Sequence, residues 1–167
     1  ALNNPQVSVS SAKKARRKHK MKGLNYHRHG VGQNAYHFVW KPKYSKDPFK
    51  FEIVRKHCEQ FLRETAKKWD MEVYELQVEP DHVHMFVEIG PTMSVCKALQ
   101  LLKGSSSYKL FRQHPWLRKH FRKGHFWSPG KFFRSVGNVT SEVIQAYIND
   151  SHHGWHFPKQ TSLSHFS

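Results

Sequence analysis

An α+β fold built on one antiparallel sheet follows from three observations on this 167-residue chain. Short runs of aromatic and β-branched residues are bounded by Pro, Gly and Asp, the pattern of strands. Two longer segments carry apolar residues three and four apart, the spacing of amphipathic helices. Runs and segments succeed one another as β-α-β-β-α-β, with a further helix behind them.

Ala35-Tyr36-His37-Phe38-Val39-Trp40 reads as the first strand, closed by Lys41-Pro42. From Phe51 to Trp69, the residues Ile53, Val54, Cys58, Phe61, Leu62, Thr65 and Trp69 recur at helical spacing. Met71 to Val78 alternates, with Val73 on one face and Tyr74, Leu76 and Val78 split around it. Pro80-Asp81 turns that strand directly into His82 to Ile89, a hairpin. Ser94 is the expected N-cap of a second helix carrying Val95, Ala98, Leu99 and Leu102 and running on towards Phe111. Ser128-Pro129-Gly130 turns into a strand from Lys131 to Val136. The last helix opens near Thr140-Ser141-Glu142, carries Tyr147 and reaches about Asp150. This order fits a ferredoxin-like split β-α-β sheet with helices on one face and a C-terminal tyrosine-bearing helix. Residues 1–32 read as a flexible basic arm, 33–151 as the domain, and 152–167 as a His/Ser-rich tail.

Charge narrows the partners. The chain has 28 Lys and Arg against 12 Asp and Glu, a net charge of +16. Ten of the twelve acids lie between Asp47 and Glu88, so two long cationic stretches flank a nearly balanced middle. That pattern implies a polyanion, with nucleic acid the first candidate. Cys58 and Cys96 are isolated, as suits a reducing compartment. No apolar run is long enough to span a membrane, and the first dozen residues lack the apolar core of a signal peptide. The expected location is the cytoplasm, at the nucleoid when DNA is bound, with no membrane partner and no small-molecule substrate.

Between Gly104 and Arg134 cations alternate with rings and no acid intervenes. Lys103, Lys109, Arg112, Arg118, Lys119, Arg122, Lys123, Lys131 and Arg134 are suited to a phosphate backbone. Rings such as Trp127 are suited to stacking on unpaired bases, worth about 1–3 kcal/mol per base. Some rings must be core, Phe111, Phe121 and Phe132 first among them.

In Pro80-Asp81-His82-Val83-His84-Met85-Phe86-Val87, alternation sends His82 and His84 to one face and Val83, Met85 and Val87 to the other. Two imidazoles side by side on a strand make part of a metal site. On the last helix Val143, Tyr147 and Ser151 fall near one line. Tyr147 is there either an aromatic edge of an apolar face or a phenol presented to the histidines. A phenol attacks phosphorus usefully only with a cation nearby, which Mg²⁺ or Mn²⁺ held by histidine would supply.

His82-Val83-His84 after Glu79-Pro80-Asp81 resembles the histidine-hydrophobic-histidine (HUH) motif. Trp40-Lys41-Pro42-Lys43-Tyr44, Lys103-Gly104-Ser105-Ser106, Trp127-Ser128-Pro129-Gly130 and Val136-Gly137-Asn138-Val139 are similar to further signatures of one family. With Tyr147 they resemble the single-tyrosine transposases of insertion sequence family 200/605, from about Tyr36 to Asn149. The resemblance implies a dimer that binds hairpins near element ends and a divalent metal on His82 and His84. Tyr147 would attack single-stranded DNA, leaving a 5′-phosphotyrosine and a free 3′-OH that another strand can reverse. The family places a Gln four residues after its tyrosine, where this chain has Ser151, so His152, or else Asp150 or Ser151, is the expected third ligand. The alternatives are a domesticated palindrome-processing relative, a replication-type nickase, or a non-catalytic nucleic-acid-binding module.

Overall fold

A computed structural model describes residues 25–27, 30–137, 140 and 142–146. Strands β1 (Asn25–His27) and β2 (Gly30–Gly32) pair antiparallel as a short hairpin within the segment read from sequence as an arm. The main sheet holds β3 (Ala35–Trp40), β4 (Glu72–Val78), β5 (Val83–Glu88) and β6 (Phe132–Val136). Their order is β4-β5-β3-β6, every neighbour antiparallel. Helices α1 (Glu52–Lys68) and α2 (Val95–Gln113) connect β3 to β4 and β5 to β6. This is the ferredoxin-like arrangement, with the central pair β5 and β3 contributed by the two halves.

Register sorts the side chains. Tyr36, Phe38 and Trp40 lie opposite Val87, Met85 and Val83. These six meet Val54, Cys58 and Leu62 of α1 and Ala98, Leu99 and Leu102 of α2 in the main core. Ala35, His37 and Val39 face the other way, opposite Glu88, Phe86 and His84. That second face is also covered. Ala35, Phe86 and Val136 form a small cluster there, against which Tyr74, Val143 and Ile144 pack.

Local sequence explains the boundaries. Ser94 caps α2, its Oγ accepting from Lys97 N at 3.1 Å. Glu79 N donates to His82 O at 2.8 Å, closing a tight turn over Pro80-Asp81. His82 therefore leaves the turn just ahead of the strand proper, which begins at Val83. In β4 the pairing slips between Val73 and Glu75. The bulge lets Val73 face the core before it and Leu76 and Val78 after it, while Tyr74 turns to the second face. That is why the alternation in this run splits. The last helix is described over 142–146, where Thr140 Oγ1 accepts from Val143 N at 3.3 Å.

Candidate active site

Strand alternation brings His82 and His84 together as expected. Their Nε2 atoms lie 2.6 Å apart, with the rings nearly perpendicular at 83°. Each ring is fixed from its other nitrogen. Asp81 Oδ1 lies 2.6 Å from His82 Nδ1, and a carboxylate can only accept, so Nδ1 carries the proton. His84 Nδ1 lies 3.0 Å from His37 Nε2 on the neighbouring strand. The tautomer with Nδ1–H donating to His37 leaves His84 Nε2 bare. With that tautomer the two Nε2 lone pairs meet at 2.6 Å and can share a cation; with the other, His37 Nε2–H donates to His84 Nδ1 and His84 Nε2–H donates to His82 Nε2, a continuous hydrogen-bonded chain.

The surroundings make that arrangement stiff. His37 is fully buried and stacks on Phe86, ring centroids 4.3 Å apart and planes 2° from parallel. Burial, then the neighbouring Arg134 charge, pushes the His37 pKa down to about 4, so this ring is neutral at physiological pH. His84 is also buried, whereas His82 is partly open and Asp81 exposed. Burial works against the Asp81 charge, but the hydrogen bond and charge of His82, with Lys41 beyond, outweigh it and hold the carboxyl below its usual range. A neutral imidazole whose far N–H is engaged by a carboxylate or another acceptor is the form in which histidine ligates metals. The donor set thus fits a divalent cation at the Nε2 pair, although nitrogen donors are softer than Mg²⁺ prefers. Among the described residues no third His, Cys, Asp or Glu joins the pair to make a three-ligand cluster. Tyr147, Asp150, Ser151 and His152 lie outside the described residues.

The cationic residues divide. Lys119, Lys123, Lys131 and Arg134 are exposed. Lys109 pairs with Glu64 across α1 and α2 at 2.6 Å, and Arg112 donates to the Tyr108 hydroxyl. Arg118 lies over the Phe111 ring at 5.2 Å. Lys103 Nζ donates to Ser128 O at 2.7 Å and Gly130 O at 3.4 Å; burial, then Lys131, lowers its pKa to about 8. For Arg122 only the backbone is described.

Trp127 corrects the sequence reading. It is buried, its indole N–H donating to Ser106 Oγ at 3.0 Å, so its ring is core and offers no open face to a base. Phe126 is likewise buried, as are Phe111 and Phe121, while Phe132 is only partly so. Sequence reasoning missed His37. Its parity along β3 shows which face it takes, but only the β3–β5 register reveals that this face holds His84.

The family profile described as "Transposase IS200 like" matches residues 31–151. Over 131 residues the chain is 30% identical to the ISDra2 transposase TnpA of Deinococcus radiodurans, covering 78% of this chain and 90% of that protein. It is 36% identical over 113 residues to the transposase for insertion sequence element IS200 of Salmonella typhimurium, covering 68% and 73%. A crystal structure of a Deinococcus radiodurans protein described as a transposase superposes with a TM-score of 0.62 at 28% identity, covering 75% of this chain and 96% of that one. The profile spans the sheet, both helices and the paired histidines alike, and this protein therefore belongs to the IS200-like transposases, enzymes that cut and rejoin DNA.

Proposed function

We propose that this protein is a metal-dependent single-strand DNA transesterase that uses Tyr147 as nucleophile at the ends of an insertion element. The observation that supports this best is the convergence of His82 and His84 Nε2, each ring held from behind, on the sheet face that also receives Val143 and Ile144. Those two residues belong to the segment that leads into Tyr147.

On this reading His82 and His84 hold Mg²⁺ or Mn²⁺, with His152, or else Asp150 or Ser151, as third ligand. The bound ion would draw charge from a phosphate oxygen and favour the phenolate. The Tyr147 oxygen bonds to phosphorus and the bond to the 3′ oxygen breaks. The phenol gives up one proton and the departing 3′ oxygen takes one up. The 5′-phosphotyrosine keeps a reactive phosphodiester, so the 3′-OH of another strand can displace Tyr147 without an external energy source. Two copies would act as a homodimer, the tyrosine helix of one completing the site of the other. The substrate is single-stranded DNA carrying hairpins near the element ends, met in the cytoplasm at the nucleoid. Residues 33–151 would do this work, with the basic arm of 1–32 adding phosphate contacts and 152–167 supplying a tail.

A covalent-capture gel tests the reading. Single-stranded oligonucleotides copied from DNA flanking the gene are incubated with the full chain and Mg²⁺ or Mn²⁺. A denaturation-resistant band is expected, absent with EDTA and absent in Tyr147→Phe and His82→Ala. A band that persists in Tyr147→Phe would remove the tyrosine mechanism.

A further inference from the structure

Two motifs flagged in the sequence, Lys103-Gly104-Ser105-Ser106 and Trp127-Ser128-Pro129-Gly130, have no part in the histidine site, yet the fold joins them. Lys103 ties α2 to the carbonyls of Ser128 and Gly130, and Ser106 accepts from Trp127. Between α2 and the 124–131 loop this leaves a cleft of about 480 Å³. Its rim carries Lys43, Lys131 and His125, and Gly104 and Ser107 present little side chain towards it. A volume of this size falls within the range of small-ligand sites, about 300–1,000 Å³.

Three lysines around one cleft, with no carboxylate among its lining residues, repel one another until an anion enters. Burial, then the Lys131 charge, depresses Lys103, and a phosphate in the cleft would offset the repulsion between the two ammonium groups. The cleft lies off the same end of the sheet as the histidines, on the face that α2 covers, whereas His84 faces the other side. Trp40 pairs with Val83, the neighbour of His82, and Pro42 bridges Trp127 while Lys43 N donates to Phe126 O. From Trp40 to Lys43 the chain can span at most about 10 Å. Gly104 keeps a wall of the cleft free of side chain, although glycine is a poor former of helix interiors. Packing does not demand it, because a Cβ placed there meets nothing within 4 Å.

We propose that this cleft binds one phosphate of single-stranded DNA, with its unpaired nucleotide, on the helix-covered side of the sheet end whose other face carries the histidine pair. The inference rests on the single-strand transesterase reading and adds a nucleotide subsite to it. Lys43 and Lys131 contact the phosphate, Lys103 holds the loop that forms the wall, and the space beside Gly104 and Ser107 admits the base or sugar.

The test uses the full chain with two labelled probes, a 12-nucleotide oligothymidylate and a blunt-ended hairpin, read by fluorescence anisotropy. Gly104→Gln, whose Cβ finds open space, puts a side chain into the cleft and should weaken oligothymidylate binding at least tenfold. It should leave hairpin affinity unchanged and the thermal midpoint no lower. Lys131→Ala should make the salt dependence on oligothymidylate shallower by about 0.7 in log–log slope, one counterion's worth. Unchanged oligothymidylate binding in Gly104→Gln, or equal losses on both probes, would overturn the proposal. Covalent capture by wild type, run in parallel, separates the two readings. Loss of the adduct with cleft-dependent binding intact would sink the Tyr147 mechanism and leave the subsite standing. Failure of wild type to bind oligothymidylate would overturn both.

Discussion

At the scale of single residues, His37 matters most among those outside the expected ligand set. Its Nε2 lies 3.0 Å from His84 Nδ1 and its ring is buried against Phe86. His37→Phe keeps a ring in the stack and removes the hydrogen-bond partner. Mn²⁺ affinity, measured by calorimetry or electron paramagnetic resonance, should fall about 10- to 100-fold, the usual cost of losing such a partner. Unaltered affinity would show that His84 keeps its tautomer unaided. The same residue makes the metal-free fold acid-sensitive. Unfolded, His37 takes up a proton near pH 6.5, but folded it resists until about pH 4. The unfolded state thus binds more protons across that window. Stability present above pH 6.5 should be lost as pH falls towards 4, by roughly 3 kcal/mol at most. Urea melts of wild type and His37→Phe from pH 4 to 7 measure it, and parallel curves would refute the assignment. The facing of His82 and His84 was legible from alternation alone. The partner of His84 was not, because it sits 47 residues away and depends on register. Nor could composition tell that Trp127 is core, since its hydrogen-bond partner Ser106 lies 21 positions back in α2.

At the scale of elements, the segment entering the last helix is held by Val143 and Ile144 on the cluster of Ala35, Phe86 and Val136. Truncating both to Ala should cost about 1–3 kcal/mol, since they are only partly buried. If that contact aims Tyr147, adduct formation should fall at least tenfold while affinity for DNA stays within twofold. An undiminished adduct rate would show that the helix is positioned by something else. Strands and helices were otherwise readable where periodicity was strong. Ala35–Trp40 is a strand as its pattern demands, and Ser94 caps α2 as its side chain allows. Two features were not readable. The bulge at Tyr74 breaks the period that betrays strands, and the β1–β2 hairpin lies in a segment with no apolar run to announce it.

At the scale of the whole molecule, charge and topology divide the work. The acids gather in the middle of the sequence, and Lys119, Lys123, Lys131 and Arg134 stand exposed. If those four meet phosphates, binding of single-stranded DNA should fall with salt at a log–log slope of about −3. A slope near zero would mean that the charge serves solubility rather than recognition. The ferredoxin-like order places His84 and His37 on the two inner strands, because β5 lies between β4 and β3 and β3 between β5 and β6, with His82 at the turn where β5 begins. Neither inner strand can peel away without breaking two ladders. The amides of β5 and β3 should therefore exchange with deuterium only when the entire chain opens, at a rate set by global unfolding. A site anchored there lasts as long as the fold lasts: denaturant should extinguish metal affinity and tertiary structure at the same midpoint, with no softened state in which the histidine pair has dissolved while the sheet survives.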